Sequence, residues 1–409
     1  MKKFITIALA LCLLHTGAAA QWYLFPGARA NENEREETAG EEQNLRLRPV
    51  PGAPVRQETD MEIEDDFPDF GFNRRSVITV TLALPVNADS EKPSSNFLEM
   101  YGGALLALRD LGDEGVRTRL RLVDTASGNG LTAGDIKNSD VIIGPVTYDE
   151  ILSALPMCGD RMLISPLDPK TAELAAGSGV IQAPSSWASQ VDELVNWVQE
   201  ELMPEDELIV IRDPSKSGSG EQSDYLMSRL HGKVLDFRIV KAVSEINFEE
   251  GRTYRILIAS DSDAFLTGAA RAAAIEAARN RNIILYSTSR IRSTIGTNVN
   301  DLYDTRTRLT ASYYIDYDSR KVKDFILAYR ALYKGEPGSF AFQGYDTVYY
   351  FVSMCRDYGR RWQRRLPESP MRGLQSDFSF DRRKGGGREN VAVRRVVYNS
   401  DLTTSLAQY

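Results

Sequence analysis

SVITVTLALPV (residues 76–86) is the stretch whose reading decides the fold. Val77, Ile78, Val80, Leu82, Ala83, Leu84 and Pro85 make it almost continuously apolar and rich in β-branched residues. That is the composition of a strand buried on both faces, not of one alternating between core and water. Asn96 and Glu99 follow at capping-box spacing, and Phe97, Tyr101, Ala104, Leu105, Leu108 and Leu111 recur at helical intervals up to Gly112. A buried strand leading into an amphipathic helix is the unit of a parallel sheet covered by helices.

The unit repeats. LRLVD (120–124), VIIGP (141–145) and MLISP (162–166) each precede a polar turn and a short helical pattern. A second series begins after Ser185. Trp187, Val191, Leu194, Val195, Val198 and Leu202 mark one helix face that Pro204 closes, and LIVIR (208–212), RILIAS (255–260), NIILYS (282–287) and LTASYYI (309–315) supply strands. An alanine-rich helix falls at 265–280, and another with Val322, Phe325, Ile326, Tyr329 and Leu332 stops at Gly335 and Pro337. The helix of 343–358 is apolar around much of its circumference and so must be buried. Phe378, Phe380, a turn at Gly385 to Gly387 and a strand-like Val391 to Tyr398 come next. The expected fold is α/β, with two doubly wound Rossmann-like lobes joined by a multi-crossover hinge. Residues 76–184 plus 338–409 are expected to form a discontinuous first lobe, and 185–337 the second.

The flanking segments are read differently. Lys2 and Lys3, the apolar run Phe4 to Leu14 and the small residues Ala18 to Ala20 predict a cleavable signal peptide over 1–20. That run is too short for a bilayer of about 30 Å, so no transmembrane segment is expected. Residues 21–75 are acidic and poor in apolar residues, which predicts a flexible leader. Losing Lys2 and Lys3 takes the formal charge from −8 to −10. A general affinity for nucleic acid is therefore not expected. Basic residues gather near the other end, with Arg356, Arg360, Arg361, Arg364 and Arg365, then Arg382, Arg383, Lys384, Arg394 and Arg395. They form either a solvated surface or a patch for an anionic partner.

Catalytic chemistry is poorly supplied. Past the signal peptide His231 is the one histidine, and beside Gly232 it suits a helix end. Nucleophile-elbow, Walker and zincin motifs are missing. Asp261-Ser262-Asp263 has a D-x-D form that chance often produces. No enzyme activity, metal or cofactor is expected. Cys158 and Cys355 could form a bridge in an oxidising compartment or remain free.

VTLALPV (80–86), FLEMYGGALLALRDL (97–111), VIIGPVTYDE (141–150), LISPLDP (163–169) and FQGYDTVYYFV (342–352) together resemble the type I periplasmic-binding family of branched-chain amino-acid binding proteins and receptor ligand-binding domains. The resemblance implies a periplasmic protein whose lobes close on a solute held by loops at the carboxyl ends of strands. Open α/β sheets place ligands there for physical reasons, since helix N-termini offer unpaired N–H groups. Candidate contacts are Thr147, Tyr148 and Ser165 in the first lobe and Asp213, Ser215, Lys216, Asp261 and Ser287 in the second. Pro145, Val146 and Thr147 stand where the family's hydroxyl cluster would be, and Tyr345 and Asp346 match its helix start. Two functions follow. One is a solute-binding protein for a small polar solute such as an amino acid, serving uptake or sensing. The other is a non-catalytic envelope scaffold or cell-wall-synthesis activator that meets an envelope protein instead.

Overall fold

A computed structural model describes residues 77–407 apart from 129, 178, 216, 217, 219 and 384. The expected signal peptide and acidic leader lie outside the described residues. The first lobe opens with β1 (Ile78–Leu84), α1 (Ser95–Asp113), β2 (Thr118–Asp124), α2 (Ala133–Lys137), β3 (Val141–Ile143), α3 (Tyr148–Ala154), β4 (Leu163–Ser165), α4 (Ala172–Gly177) and β5 (Val180–Gln182). The second is built from α5 (Trp187–Glu201), β6 (Glu207–Arg212), α6 (Glu221–Gly232), β7 (Arg238–Val240), β8 (Thr253–Ala259), α7 (Asp263–Ala278), β9 (Asn282–Thr288), α8 (Arg290–Ser293), α9 (Val299–Asp304) and β10 (Arg308–Ala311). The remainder comprises α10 (Arg320–Tyr333), α11 (Ser339–Tyr358), β11 (Met371–Arg372), β12 (Asp377–Phe378), β13 (Phe380–Arg382), β14 (Arg388–Asn390), β15 (Arg394–Tyr398) and β16 (Thr404–Leu406).

Two seven-stranded sheets result, ordered β13-β14-β5-β4-β3-β1-β2 and β16-β15-β10-β9-β8-β6-β7. The neighbours from β2 through β5 to β14 run parallel, as do those from β7 to β10, and the outer strands β13, β15 and β16 pair antiparallel. The period of two along each strand decides which helix covers which face. In the first sheet Val80, Leu82, Val141, Ile143, Ile164 and Ile181 pack beneath α1 and α11. Their neighbours Ala83, Ile142, Leu163 and Val180 turn the other way, onto Ile136, Ile151 and Ala175. The second sheet divides in the same manner between α7 with α9 and α5 with α6. Both faces of both sheets are thus covered, which is why the strands read as continuous apolar runs.

Glycine sets the distance between α1 and α11. A Cβ on Gly103 would lie 1.8 Å from the Ala341 carbonyl oxygen, and one on Gly344 would lie 2.0 Å from that of Met100. The two helices can touch backbone to backbone only because these positions carry no side chain.

The lobe boundaries differ from the sequence reading in two places. Helix α10, expected in the second lobe, lays Val322, Phe325 and Tyr329 against Leu106 and Phe342, so it docks on the first. The tail, expected to stay with the first lobe to its end, leaves that sheet after β14. Asn390, the last residue of β14, turns the chain so that the strand-like run expected from Val391 begins only at Arg394: its side-chain oxygen accepts the N–H groups of Ser379 and Ala392 while its amide donates to the carbonyls of Ala183 and Asp377. Beyond this turn β15 pairs with β10, and Val396 and Tyr398 fill the second core. The chain therefore crosses between lobes around 183–186, 312–319 and 391–393.

Cys158 and Cys355 are free, buried thiols. They belong to the cores on opposite faces of the first sheet, so the sheet itself stands between them. No described helix is long and apolar enough to cross a membrane.

Candidate functional site

A cavity of ≈ 450 Å³ lies between the lobes beside the crossovers. The first lobe contributes Pro166, Leu167 and Pro169 after β4, Pro184 and Ser185 after β5, and Gln343 and Ser376. From the second come Trp187 and Gln190 on α5, Thr288 to Arg290 and Arg292 to Thr294 around α8, and Ser312 and Tyr313 after β10. All the strand-end contributions come from carboxyl ends, as an open parallel sheet requires of a ligand site.

Several of these groups are held by partners. Gln343 donates to the Pro166 carbonyl at 3.0 Å and accepts from the Gln375 amide at 2.9 Å. One turn along α11, the buried Asp346 carboxylate accepts the backbone N–H groups of Leu374, Gln375 and Ser376 at 2.7, 2.8 and 3.0 Å. Burial pushes the Asp346 carboxyl up to about 6, against the pull of those three donors and of Arg394. Gln190 accepts from the Ser289 hydroxyl at 2.7 Å and so fixes the β9–α8 turn. Arg290 donates to the Ser260 and Asp261 carbonyls at 2.9 and 2.5 Å and to the Asp263 carboxylate at 2.6 Å. Burial holds the Tyr313 phenol well above the usual tyrosine range, so it stays protonated and neutral. The Ser185 hydroxyl, on a residue only 4 % exposed, has no hydrogen-bond partner among the described residues. No described cluster of His, Cys, Asp or Glu has the makings of a metal centre.

None of the described residues proposed from sequence lines this cavity. Thr147 caps α3 in a reciprocal box with Glu150, and the Tyr148 N–H donates to Asp168 at 3.0 Å. Ser165 is fully buried and accepts from the Thr171 hydroxyl at 2.7 Å. Asp213 accepts from the backbone and hydroxyl of Ser215 at 2.8 and 2.6 Å and from the Ser260 hydroxyl, which orders the loop after β6. These donors outweigh the effect of burial and hold its carboxyl below the usual range. Asp261 caps α6 through the N–H groups of Gln222 and Ser223 at 3.2 and 2.7 Å. Ser287 faces a separate small cavity of ≈ 40 Å³ within the second lobe. Lys216 lies outside the described residues. Thr147, Tyr148, Asp213 and Asp261 cluster where the strand order reverses, at β1/β3 and β6/β8, whereas the cavity opens further along the sheets, toward the hinge.

Sequence reasoning missed Trp187, Gln190, Arg292 and Tyr313. Trp187 was read as one more apolar residue on the face of α5. Tyr313 was read as strand, yet β10 ends at Ala311, and Ser312-Tyr313 begin a crossover. Ser312, a polar residue inside the run LTASYYI, is the local signal that the strand stops before its tyrosines.

No protein-family model matches the chain, and no curated protein matches it. Solved structures do. A protein from Rhodospirillum rubrum assigned to branched-chain amino acid ABC transport is 14% identical, covers 81% of this chain and 100% of its own, and superposes with a TM-score of 0.52. An ABC transporter substrate-binding protein from Desulfitobacterium hafniense in complex with Leu is 15% identical over 81% of this chain and 100% of its own, at a TM-score of 0.45. Full-length LpoA from Haemophilus influenzae is 12% identical over 83% of this chain and 60% of its own, at 0.48. The two doubly wound sheets, their repeated crossovers and the Rhodospirillum superposition make this the two-lobed fold of type I periplasmic binding proteins.

Proposed function

We propose that the protein is a non-catalytic solute-binding protein whose lobes close on a small polar solute held in the cleft beside the hinge. The observation that carries this reading is a ≈ 450 Å³ cavity walled by both lobes, of a size suited to a small molecule. A solute touching both walls binds the closed state better than the open one, and only such a difference can drive closure. Micromolar affinity corresponds to about 8 kcal/mol, ample for that purpose. Function outside the cytoplasmic membrane, in uptake or sensing, is part of the same proposal. Small-angle scattering and thermal melting with a library of amino acids, organic acids, peptides and sugars test it. Compaction together with a raised melting temperature for one chemical class is expected, and no response to any compound sinks the reading.

A scaffold that meets an envelope protein is the second reading. The turn after α11 favours it, since Arg360, Arg361 and Arg364 are exposed around the buried Trp362 with no ion-pair partner among the described residues. Capture of an envelope protein that depends on these arginines, without any solute response, would establish it over the first.

A further inference from the structure

The charged groups of the cleft wall are few and unequal. Arg290 and Arg292 stand against Asp263, which is two cations to one anion. Arg290 is fully employed, with its guanidinium on two backbone carbonyls and on the Asp263 carboxylate. That carboxylate oxygen in turn accepts from both Nε and Nη2 of Arg290, at 3.1 and 2.6 Å. Arg292 has no carboxylate partner among the described residues. Its guanidinium lies over the Tyr314 ring, 5.6 Å from the centroid, which leaves its N–H donors for an incoming acceptor.

Much of the remaining polar wall is engaged, though the Ser185 hydroxyl has no partner among the described residues. The Ser293 and Thr294 hydroxyls both donate to the Arg290 carbonyl, and that of Ser289 is bound by Gln190. Pro166, Pro169 and Pro184 bring no backbone N–H at all. Apolar surface comes from these rings, from Leu167 and from Trp187 and Tyr313.

We infer that the cleft selects an organic anion with an apolar body and no ammonium group, its carboxylate facing Arg292 and its body lying against Trp187 and Tyr313. The inference rests on the solute-binding reading and narrows it. An α-amino acid is disfavoured because its ammonium would need a carboxylate, and the wall's Asp263 is already neutralised by Arg290. A sugar is disfavoured because the Ser289, Ser293, Thr294 and Ser376 hydroxyls are occupied within the wall.

The test titrates the full chain with phenylacetate, L-phenylalanine and phenethylamine, which share a ring and differ in charge. Hexanoate and indole-3-acetate vary the apolar body. Isothermal titration calorimetry reads the binding, because indole-3-acetate shares the tryptophan fluorophore. Expected is saturable binding of at least one of these anions, about tenfold or more tighter than its amino-acid or amine counterpart. Arg292→Met should weaken that anion by about tenfold or more with an unchanged melting temperature, and Arg292→Lys should recover part of the loss. Phenylalanine or phenethylamine binding as tightly as phenylacetate overturns the inference, as does an anion indifferent to Arg292→Met. Should none of these anions bind while amino acids or sugars from the wider library do, the inference fails and the solute-binding reading stands. Silence from every compound removes both.

Discussion

The Arg394 guanidinium meets the Asp377 carboxylate at 2.6 Å, and through this pair the first strand of the tail's return to the second sheet is fastened to the first lobe. Arg394 also donates to the carbonyls of Tyr314, Gly373 and Leu374 at 2.5, 2.7 and 3.0 Å. One buried side chain therefore ties together two of the three crossovers and the loop that carries Ser376 to the cleft. Arg394→Met should lower unfolding free energy by about 3 kcal/mol, because it strands a buried carboxylate and three carbonyls. Urea denaturation measures this, and a loss under 1 kcal/mol would show that the hub is dispensable.

Asp346 gives a pH dependence of definite sign. Its folded carboxyl titrates near 6, above the ordinary value of 3.8, so between those values the folded state holds more protons than the unfolded one. The stability it contributes is present in full below about pH 3.8 and is lost as pH rises through about 6. In Asp346→Asn that downward slope between pH 4 and 6 should vanish from a series of urea midpoints, although the variant is weaker at every pH.

Glu201 works in the opposite direction. Burial would raise its carboxyl, but hydrogen bonds from Tyr286 and the charge of Arg308 outweigh that and hold it below the usual range. Arg255 joins it at 3.1 Å and the Trp197 indole at 2.9 Å. Glu201→Gln should cost about 2 kcal/mol, less than for a fully buried pair because the carboxylate side chain keeps 28 % exposure. The stabilisation is present above the unfolded carboxyl value of 4.5 and is lost as pH falls through the lower folded one, so variant and parent should converge in acid.

Gly103→Ala places a methyl group 1.8 Å from the Ala341 carbonyl oxygen, and backbone cannot yield as a flexible side chain would. Overpacking of this kind costs about 1–3 kcal/mol, and here α1 and α11 must separate to accept it. A fall in melting temperature should follow. Gly112→Ala, on the same helix with nothing within 4 Å of the added carbon, should not lower it.

Cys158 and Cys355 should resist a thiol reagent in the native protein and react only in denaturant. Burial raises the Cys158 thiol to about 11 and the Cys355 thiol further still, so neither offers thiolate at neutral pH. Reaction timed against unfolding gives the readout, and a thiol modified while the fold persists would contradict the burial described.

Much of the architecture was legible because doubly covered strands leave an unmistakable trace. LAL (82–84), VII (141–143), LIVI (208–211) and IIL (283–285) are apolar at consecutive positions and each lies in the strand expected of it. The passages between lobes left no such trace. Phe325 and Tyr329 look alike whichever lobe they cover, since the amphipathic face of α10 records that it packs but not against what. The turn at Asn390 depends on hydrogen bonds with Ser379, Asp377 and Ala183, all remote from it in sequence, which no local pattern displays. For the site, strand-end rules led to polar residues near the switch points, where Thr147 and Asp261 cap helices and Asp213 orders a turn. Trp187, Tyr313 and the three prolines that line the cleft are types that composition assigns to packing and turns.

Because the polypeptide passes three times from one half of the molecule to the other, neither half is a contiguous stretch of gene. Truncation anywhere between 187 and 390 would deprive both halves of strands or helices at once. A single protease nick within one connecting passage, by contrast, would leave the pieces tethered by the other two. Grafting this cleft onto another scaffold would mean exchanging interleaved segments together, and a chimaera joined at one point would inherit two unfinished sheets.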